Sequence, residues 1–198
     1  ALATSGPGAA NMVTGLATAM MDSVPIVCIT GQVPRPAIGS DAFQEMDISG
    51  AVIPVTKHSY LVMDIKDLAK TIKEAFVIAR SGRPGPVLID IPKDLQAESF
   101  DFIYPEKSIV LPGENPTRED VDKTSLEEAA KLIANAERPV ILAGHGILLS
   151  GASKEVIELS EKGDIPLSWT LLGSGAVPAS HDLNMGMMGM HGEFAANN

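Results

Sequence analysis

Phe43 and Gln44 are the residues here best suited to touch a small polar molecule, an aromatic wall beside an amide that both donates and accepts. They end a stretch running from Thr30-Gly31-Gln32-Val33-Pro34 through Ile38-Gly39-Ser40-Asp41-Ala42-Phe43-Gln44-Glu45. Gly31, Gly39, Pro34 and Pro36 impose an unusual backbone path on it. Other chemistry-bearing residues leave alternatives open. Asp90 and Asp94 form either a carboxylate pair or a structural turn around Pro92-Lys93. Lys57-His58 is either a functional pair or solvent-facing. Gly6-Pro7-Gly8 is either a seat of free N–H groups for an anion or a tight strand-to-helix turn.

Two glycine-rich stretches suit a dinucleotide, because missing side chains let backbone amides approach a pyrophosphate. They are Gly144-His145-Gly146 and Gly173-Ser174-Gly175, and neither completes Gly-x-Gly-x-x-Gly. The run Met185 to Gly192 suggests adaptable apolar contact with something flat, with His191 either its polar end or a packed core histidine. The four histidines, at 58, 145, 181 and 191, show no ligand spacing, so no metal site is expected. No serine elbow, His-Glu-x-x-His, phosphate-binding P-loop or Cys-x-x-Cys occurs.

Composition narrows the setting. A net charge of −10 argues against nucleic acid, which needs a basic patch. No apolar run approaches the roughly 20 residues that cross a bilayer, and no basic stretch suits an anionic membrane surface. A lone cysteine, Cys28, sits in an apolar run and reads as a buried packing residue in a reducing, cytoplasmic compartment. The chain opens inside a motif and stops abruptly at Asn197-Asn198, and reads as an interior piece of a longer protein.

The elements that must position these residues alternate strand and helix, an α/β pattern with a doubly wound parallel sheet. Residues 1–4 read as the end of a buried strand and Asn11 to Met21 as a helix. The apolar run 24–29 suits a parallel strand covered on both faces, with the loop beginning at Thr30. A short helix is expected within 43–52 and a strand over 56–62. Asp64 caps a helix with apolar residues at 65, 68, 69, 72, 75, 76 and 79, stopped by Ser81-Gly82-Arg83-Pro84-Gly85. Residues 86–92 form another buried strand. Periodicity is lost over 96–122, where Pro105, Pro112, Gly113 and Pro116 mark a linker between domains 1–95 and 123–198.

The second domain opens with a capping box, Ser125-Leu126-Glu127-Glu128, and a helix. Strands over 138–143 and 165–168 flank a helix around 153–162, and the exits Gly144-His145-Gly146 and Trp169 to Gly175 follow them. From the residues alone the reading stops at two α/β units, the second binding a dinucleotide-like cofactor.

Taken together, Thr4-Ser5-Gly6-Pro7-Gly8-Ala9-Ala10-Asn11, Asp22-Ser23-Val24-Pro25, Asp41-Ala42-Phe43-Gln44-Glu45, Thr56-Lys57-His58, Gly82 to Val87 and Met190-His191-Gly192 carry a family resemblance. The chain resembles the thiamine-diphosphate-dependent acetolactate synthase (acetohydroxyacid synthase) large subunits over nearly its whole length. The resemblance implies the later part of a pyrimidine-binding domain followed by the first part of a Rossmann-like central FAD domain. It implies condensation of pyruvate with a second 2-oxo acid, pyruvate or 2-oxobutyrate, with loss of CO2, in branched-chain amino-acid biosynthesis. The implied cofactors are thiamine diphosphate, Mg²⁺ and an FAD that undergoes no net redox change. The implied partners are small 2-oxo acids, further copies in a homodimer or homotetramer, and a regulatory small subunit.

By position, Gln44 is implied near the thiamine and the substrate, Phe43 at the substrate wall, and Pro34, Ala42 and Lys57 along the channel. Ser23, Gly144, Gly146, Thr170, Leu171, Met188, Gly189, Met190 and His191 match FAD-contacting positions. Two departures stand out: His145 replaces a glycine, and Trp169 replaces a small residue before Thr170. The family's catalytic glutamate is implied upstream of Ala1 and its Mg²⁺-holding Gly-Asp-Gly…Asn motif downstream, so the segment alone is expected to be inactive. The alternatives are another thiamine-diphosphate enzyme, such as a pyruvate oxidase or a 2-oxo acid decarboxylase, told apart by product, and a non-catalytic α/β binding module, told apart by flanking sequence.

Overall fold

Leu88, Ile89 and their strand neighbours are wholly withdrawn from water, and the first half of the chain is built on them. The computed structural model describes residues 1–107, 109–110 and 121–198, and the chain divides into units Ala1–Asn115 and Pro116–Asn198. Of the expected linker, Pro112, Gly113 and Pro116 lie outside the described residues.

The first unit runs β1 (Leu2–Ala3), α1 (Pro7–Ala10), α2 (Met12–Asp22), β2 (Val27–Gln32), α3 (Ile48–Ala51), β3 (His58–Leu61), α4 (Ile65–Arg80), β4 (Val87–Pro92) and α5 (Lys93–Gln96). Its sheet has the order β1-β2-β4-β3, and every pairing is parallel. Helices cover both faces, as the alternation along β4 requires. Val87, Ile89 and Ile91 pack with Ile65, Ala75 and Ala79 of α4, while Leu88 packs with Cys28, Leu16, Ile48 and Val52. Burying each of these large side chains contributes about 2 kcal/mol. The same burial pushes the Cys28 thiol pKa up, as suits a packing residue.

The expected elements are present, with several boundaries moved. β2 begins at Val27 and continues through Thr30, Gly31 and Gln32, so the loop starts at Val33. The polar residues stay in the strand because Thr30 and Gln32 hydrogen-bond Asp90 on the neighbouring strand. Leu2 lies 79% exposed on the edge strand, so β1 is not buried here. Gly6-Pro7-Gly8 is the start of α1, with Pro7 in its first turn where no N–H is needed. α4 is capped as expected, Asp64 accepting from the Lys66 N–H at 2.9 Å, but Phe76 faces outward and Thr71 takes a buried place.

The second unit runs α6 (Lys123–Ala134), β5 (Ile141–Ala143), α7 (His145–Ser150), α8 (Ser153–Gly163), β6 (Leu167–Trp169), β7 (Asn184–Met187) and α9 (Phe194–Asn197). Its parallel sheet has the order β5-β6-β7. α6 starts before the expected capping box. Asp122 caps it, accepting from the Thr124 and Ser125 N–H groups, and Ser125 sits inside the first turn. Trp169 belongs to β6, where it packs against Leu167, Ala176 and Val177. β7 was not expected, because its Asn-Met-Gly-Met sequence lacks the β-branched residues that mark a strand.

Candidate functional site

Polar side chains of β2 and β4 meet at the C-terminal edge of the first sheet, the edge where open α/β sheets hold ligands. Thr30 Oγ1 donates to Asp90 Oδ1 at 2.7 Å, and Gln32 Nε2 donates to Asp90 Oδ2 at 2.8 Å. Asp90 is 1% exposed. Burial pushes its carboxyl up to about 6, further than these two hydrogen bonds pull it down, and the nearby Asp47 charge adds to the push.

The loop from Val33 to Met46 leaves this edge and is tied along its length. Gln32 Oε1 accepts from the Val33 N–H at 2.9 Å, and Gln32 Nε2 also donates to the Met46 carbonyl at 2.8 Å. The Arg35 N–H and Nε donate to the two oxygens of Asp94 at 2.9 and 2.7 Å, Nη1 donates to the Met63 carbonyl at 2.9 Å, and Nη2 pairs with Glu98. Glu45 folds back to accept from the Gly39 and Ala42 N–H groups, which holds its carboxyl below the usual range. The tip is thereby presented outward: Phe43 is 89% exposed, and Gln44 is exposed in the left-handed region at φ 60°. Pro34 and Ala42 lie in the same loop.

Gly6 supports the tip from the other side. Its φ is 57°, and a Cβ there would stand 2.5 Å from the Gln44 carbonyl oxygen. The glycine therefore serves both a backbone conformation and a close approach. A cleft of about 370 Å³ opens beside it at the ends of β1, β2 and β4, its lining including Thr4, Ser5, Gly31, Lys93 and Gln96.

Lys57 and Ser23 are not brought to this loop within the chain. Both precede strands and lie toward the opposite edge of the sheet. The Lys57 ammonium bonds the carbonyls of Ile78 and Ser81 at the end of α4, and burial lowers its pKa. Ser23 accepts from Arg83 Nε at 2.7 Å. His58 is exposed, edge-on to Tyr60. Asp90 and Asp94 bond different partners, so the turn reading holds and they do not act as one pair.

In the second unit, Ala143, Trp169 and Met187 are aligned across adjacent strands, so Gly144, Thr170 and Met188 leave neighbouring strand ends together. The Thr170 N–H donates to the Ala143 carbonyl at 3.0 Å and the Met188 N–H to the Trp169 carbonyl at 2.9 Å. Gly146 follows in α7, and Leu171 is exposed beside Thr170. Asn197 clamps Gly189 from both sides, accepting from its N–H and donating to its carbonyl at 2.9 Å each. Met190 is 92% exposed and His191 is exposed too within this chain. Among the described residues no group of three or more His, Cys, Asp or Glu could hold a metal ion, and no helix is long and apolar enough to cross a membrane.

Comparison with known proteins bears on both edges. Residues 1–51 match the family model for the thiamine pyrophosphate enzyme N-terminal TPP binding domain, and residues 126–198 match the model for the central domain of the same enzymes. The acetolactate synthase of Arthrospira platensis is 50% identical over 200 residues, covering 99% of this chain and 34% of that protein. The probable acetolactate synthase large subunit of Methanocaldococcus jannaschii is 50% identical over 198 residues, covering 99% and 33%. The acetolactate synthase large subunit of Mycobacterium tuberculosis is 51% identical over 195 residues, covering 98% and 31%. The chain belongs to the thiamine pyrophosphate enzyme family. It spans about a third of the length of these relatives.

The stretch matching the family's N-terminal domain contains Gly6 and the whole loop with Phe43 and Gln44. The stretch matching its central domain contains every strand exit of the second sheet. What sequence reasoning missed is the machinery beneath the loop: the roles of Gln32, Arg35 and Glu45, and the pairing of Asp90 with Thr30 and Gln32. A signal for part of it existed. Thr30 and Gln32 alternate with apolar neighbours at period two, facing the only acidic residue in the run 86–92.

Proposed function

We propose that this chain is part of the catalytic subunit of an acetolactate synthase, which joins pyruvate to a second 2-oxo acid with release of CO2. The observation that carries this reading is about half identity to acetolactate synthases along 98–99% of the chain. Residues 1–95 would form the later part of the pyrimidine-binding domain and residues 123–198 the first part of the central domain.

Thiamine diphosphate, when bound, supplies the electron sink for decarboxylation. The chain's part is to wall and orient. The cleft at the strand ends and the glycine-lined approach of Gly6 to Gln44 suit a polar ring packed against backbone. Gln44 offers an amide donor and acceptor to a 2-oxo acid, and Phe43 excludes water from one side. Pro34 and Ala42 line the same channel, and Lys57 would reach it from another copy in a homodimer or homotetramer, because its own chain places it at the far edge.

FAD suits the second sheet. A Cβ on Gly144, Gly146 or Gly189 would meet nothing within 4 Å, leaving open room at the strand exits. Thr170, Leu171, Met188, Met190 and His191 would complete that contact. Among the described residues no group of three or more His, Cys, Asp or Glu could hold Mg²⁺, so its ligands would come from elsewhere in the full-length protein. A regulatory small subunit and a cytoplasmic setting accord with the relatives' role as large subunits and with the lone buried Cys28.

The test is product analysis of the full-length protein with pyruvate, thiamine diphosphate, Mg²⁺ and FAD. Acetolactate is expected; acetyl phosphate or free acetaldehyde as the main product would overturn the assignment in favour of an oxidase or a decarboxylase.

A further inference from the structure

A side-chain amide can bond both ends of a loop only if its oxygen and nitrogen point the right way, and Gln32 does this at the base of the loop 33–46. Its Oε1 accepts from the Val33 N–H at 2.9 Å, and its Nε2 donates to the Met46 carbonyl at 2.8 Å. The first residue after β2 is thereby joined to the residue that leads into α3. Arg35 ties the outgoing limb to Asp94, and Glu45 ties the returning limb to Gly39 and Ala42. Gln32 is bonded to both limbs.

The direction of that amide is also fixed from outside the loop. Gln32 Nε2 also donates to Asp90 Oδ2 at 2.8 Å, and Asp90 Oδ1 is already taken by Thr30 at 2.7 Å. Turning the amide over would place Oε1 against the Met46 carbonyl and the Asp90 carboxyl, setting three acceptors together, and would point Nε2 at the Val33 N–H. Asp90 lies on β4, hydrogen-bonded on both sides by β2 and β3, and has almost no exposure, so it cannot turn away to relieve the clash.

We infer that Gln32 is the clamp closing the loop 33–46 at its base and that Asp90 is the positioning residue that sets its direction, so that Phe43 and Gln44 are placed by two side chains beneath them. Its bearing on substrate rests on the proposed reading of the loop as a wall of the 2-oxo acid channel.

The experiment uses the full-length protein with four substitutions: Gln32→Met and Asp90→Ala to open the clamp, Asp90→Asn and Thr30→Val as controls. Asparagine keeps an oxygen for Gln32 Nε2 and can donate to the Thr30 hydroxyl, and Thr30→Val leaves the Gln32–Asp90 bond untouched. Hydrogen exchange of the 33–46 amides is expected to speed up about tenfold or more in Gln32→Met and Asp90→Ala, with residues 65–80 unchanged. Both controls are expected to stay within about twofold of the parent, since each keeps the clamp. Turnover of pyruvate by Gln32→Met, as kcat/KM, is expected to fall roughly 10- to 100-fold, with a smaller change in thiamine diphosphate affinity.

Parent-like exchange in Gln32→Met, or equal loosening in Thr30→Val, would overturn the clamp. Should Asp90→Ala not fold, Gln32→Met and the two controls decide the matter. Loosened exchange with unchanged kcat/KM would leave the clamp standing and overturn the substrate-wall reading of the loop.

Discussion

The backbone of Gln44 lies against Gly6 so closely that a single methyl group on Gly6 would stand 2.9 Å from the Gln44 Cα and 2.5 Å from its carbonyl oxygen. Two segments far apart in sequence are thus in register at the tip of the loop. Gly6 also has φ 57° and ψ −116°, a region that residues with a side chain avoid. Gly6→Ala therefore combines overpacking with backbone strain and is expected to cost about 3 kcal/mol or more. The measurement is denaturant unfolding of the full-length protein, with Gly39→Ala for comparison. Gly39 also has positive φ, but a methyl there meets nothing within 4 Å, so its cost is expected to be near 1 kcal/mol. Equal costs at the two positions would refute the close-approach argument.

Asp90 gives a pH signature. Its carboxyl is pushed up to about 6 by burial, above the ordinary carboxylate value near 3.9 of an unfolded chain. A raised folded pKa means that the fold favours the protonated form. The stability it contributes is full below about pH 4 and is lost as pH rises through 6. Two pKa units correspond to roughly 3 kcal/mol. Asp90→Asn cannot titrate, so its stability relative to the parent is expected to improve by up to about 3 kcal/mol between pH 4 and pH 7.5. Urea unfolding across that range checks it, and a flat difference would show that burial does not outweigh the Thr30 and Gln32 hydrogen bonds at this carboxyl.

Much of the first sheet was legible because fully buried parallel strands read as apolar runs, as 86–92 does. The start of the loop was misplaced for the same reason. Thr30 and Gln32 look like loop residues by type, and only the partner strand shows that their polar groups are satisfied within the sheet. Phe43 and Gln44 stand out by residue type and flanking glycines, whereas the sequence pairs Asp90 with Asp94, its near neighbour in the chain, and its partners in space are Thr30 and Gln32. The alignment of Gly144, Thr170 and Met188 at one edge depended on β7, whose methionines and glycine carry no strand signal. Sequence distance hides such partners until the sheet order is known.

Phe43 and Gln44 separate folding from function. Both are exposed, and Phe43 has almost no packing to lose. Phe43→Ala and Gln44→Ala are expected to change unfolding free energy by no more than about 0.5 kcal/mol. On the proposed function, each is expected to lower kcat/KM for the 2-oxo acids by roughly 10-fold or more through lost positioning. Melting curves and steady-state kinetics on the same preparations check both halves. A large stability loss with unchanged kinetics would make the tip structural.

Gly173 and Gly146 divide the second sheet's edge in the same way. Gly173 is buried in the turn after β6, and a Cβ there would run into the Ala143 carbonyl at the end of β5. That carbonyl already accepts from the Thr170 N–H at 3.0 Å, so it cannot retreat without loosening the bond that holds the two strand exits together. Gly173→Ala is expected to cost about 1–3 kcal/mol and to raise amide exchange at residues 141–143 and 167–170. Gly146 has open space where its Cβ would be, and Gly146→Ala is expected to leave stability within about 0.5 kcal/mol. If FAD lies across these exits as proposed, the methyl at position 146 enters its space, and flavin affinity falls while the fold is unchanged. Flavin fluorescence titration beside thermal unfolding distinguishes the two glycines, and undiminished flavin affinity in Gly146→Ala would move the flavin off that strand exit.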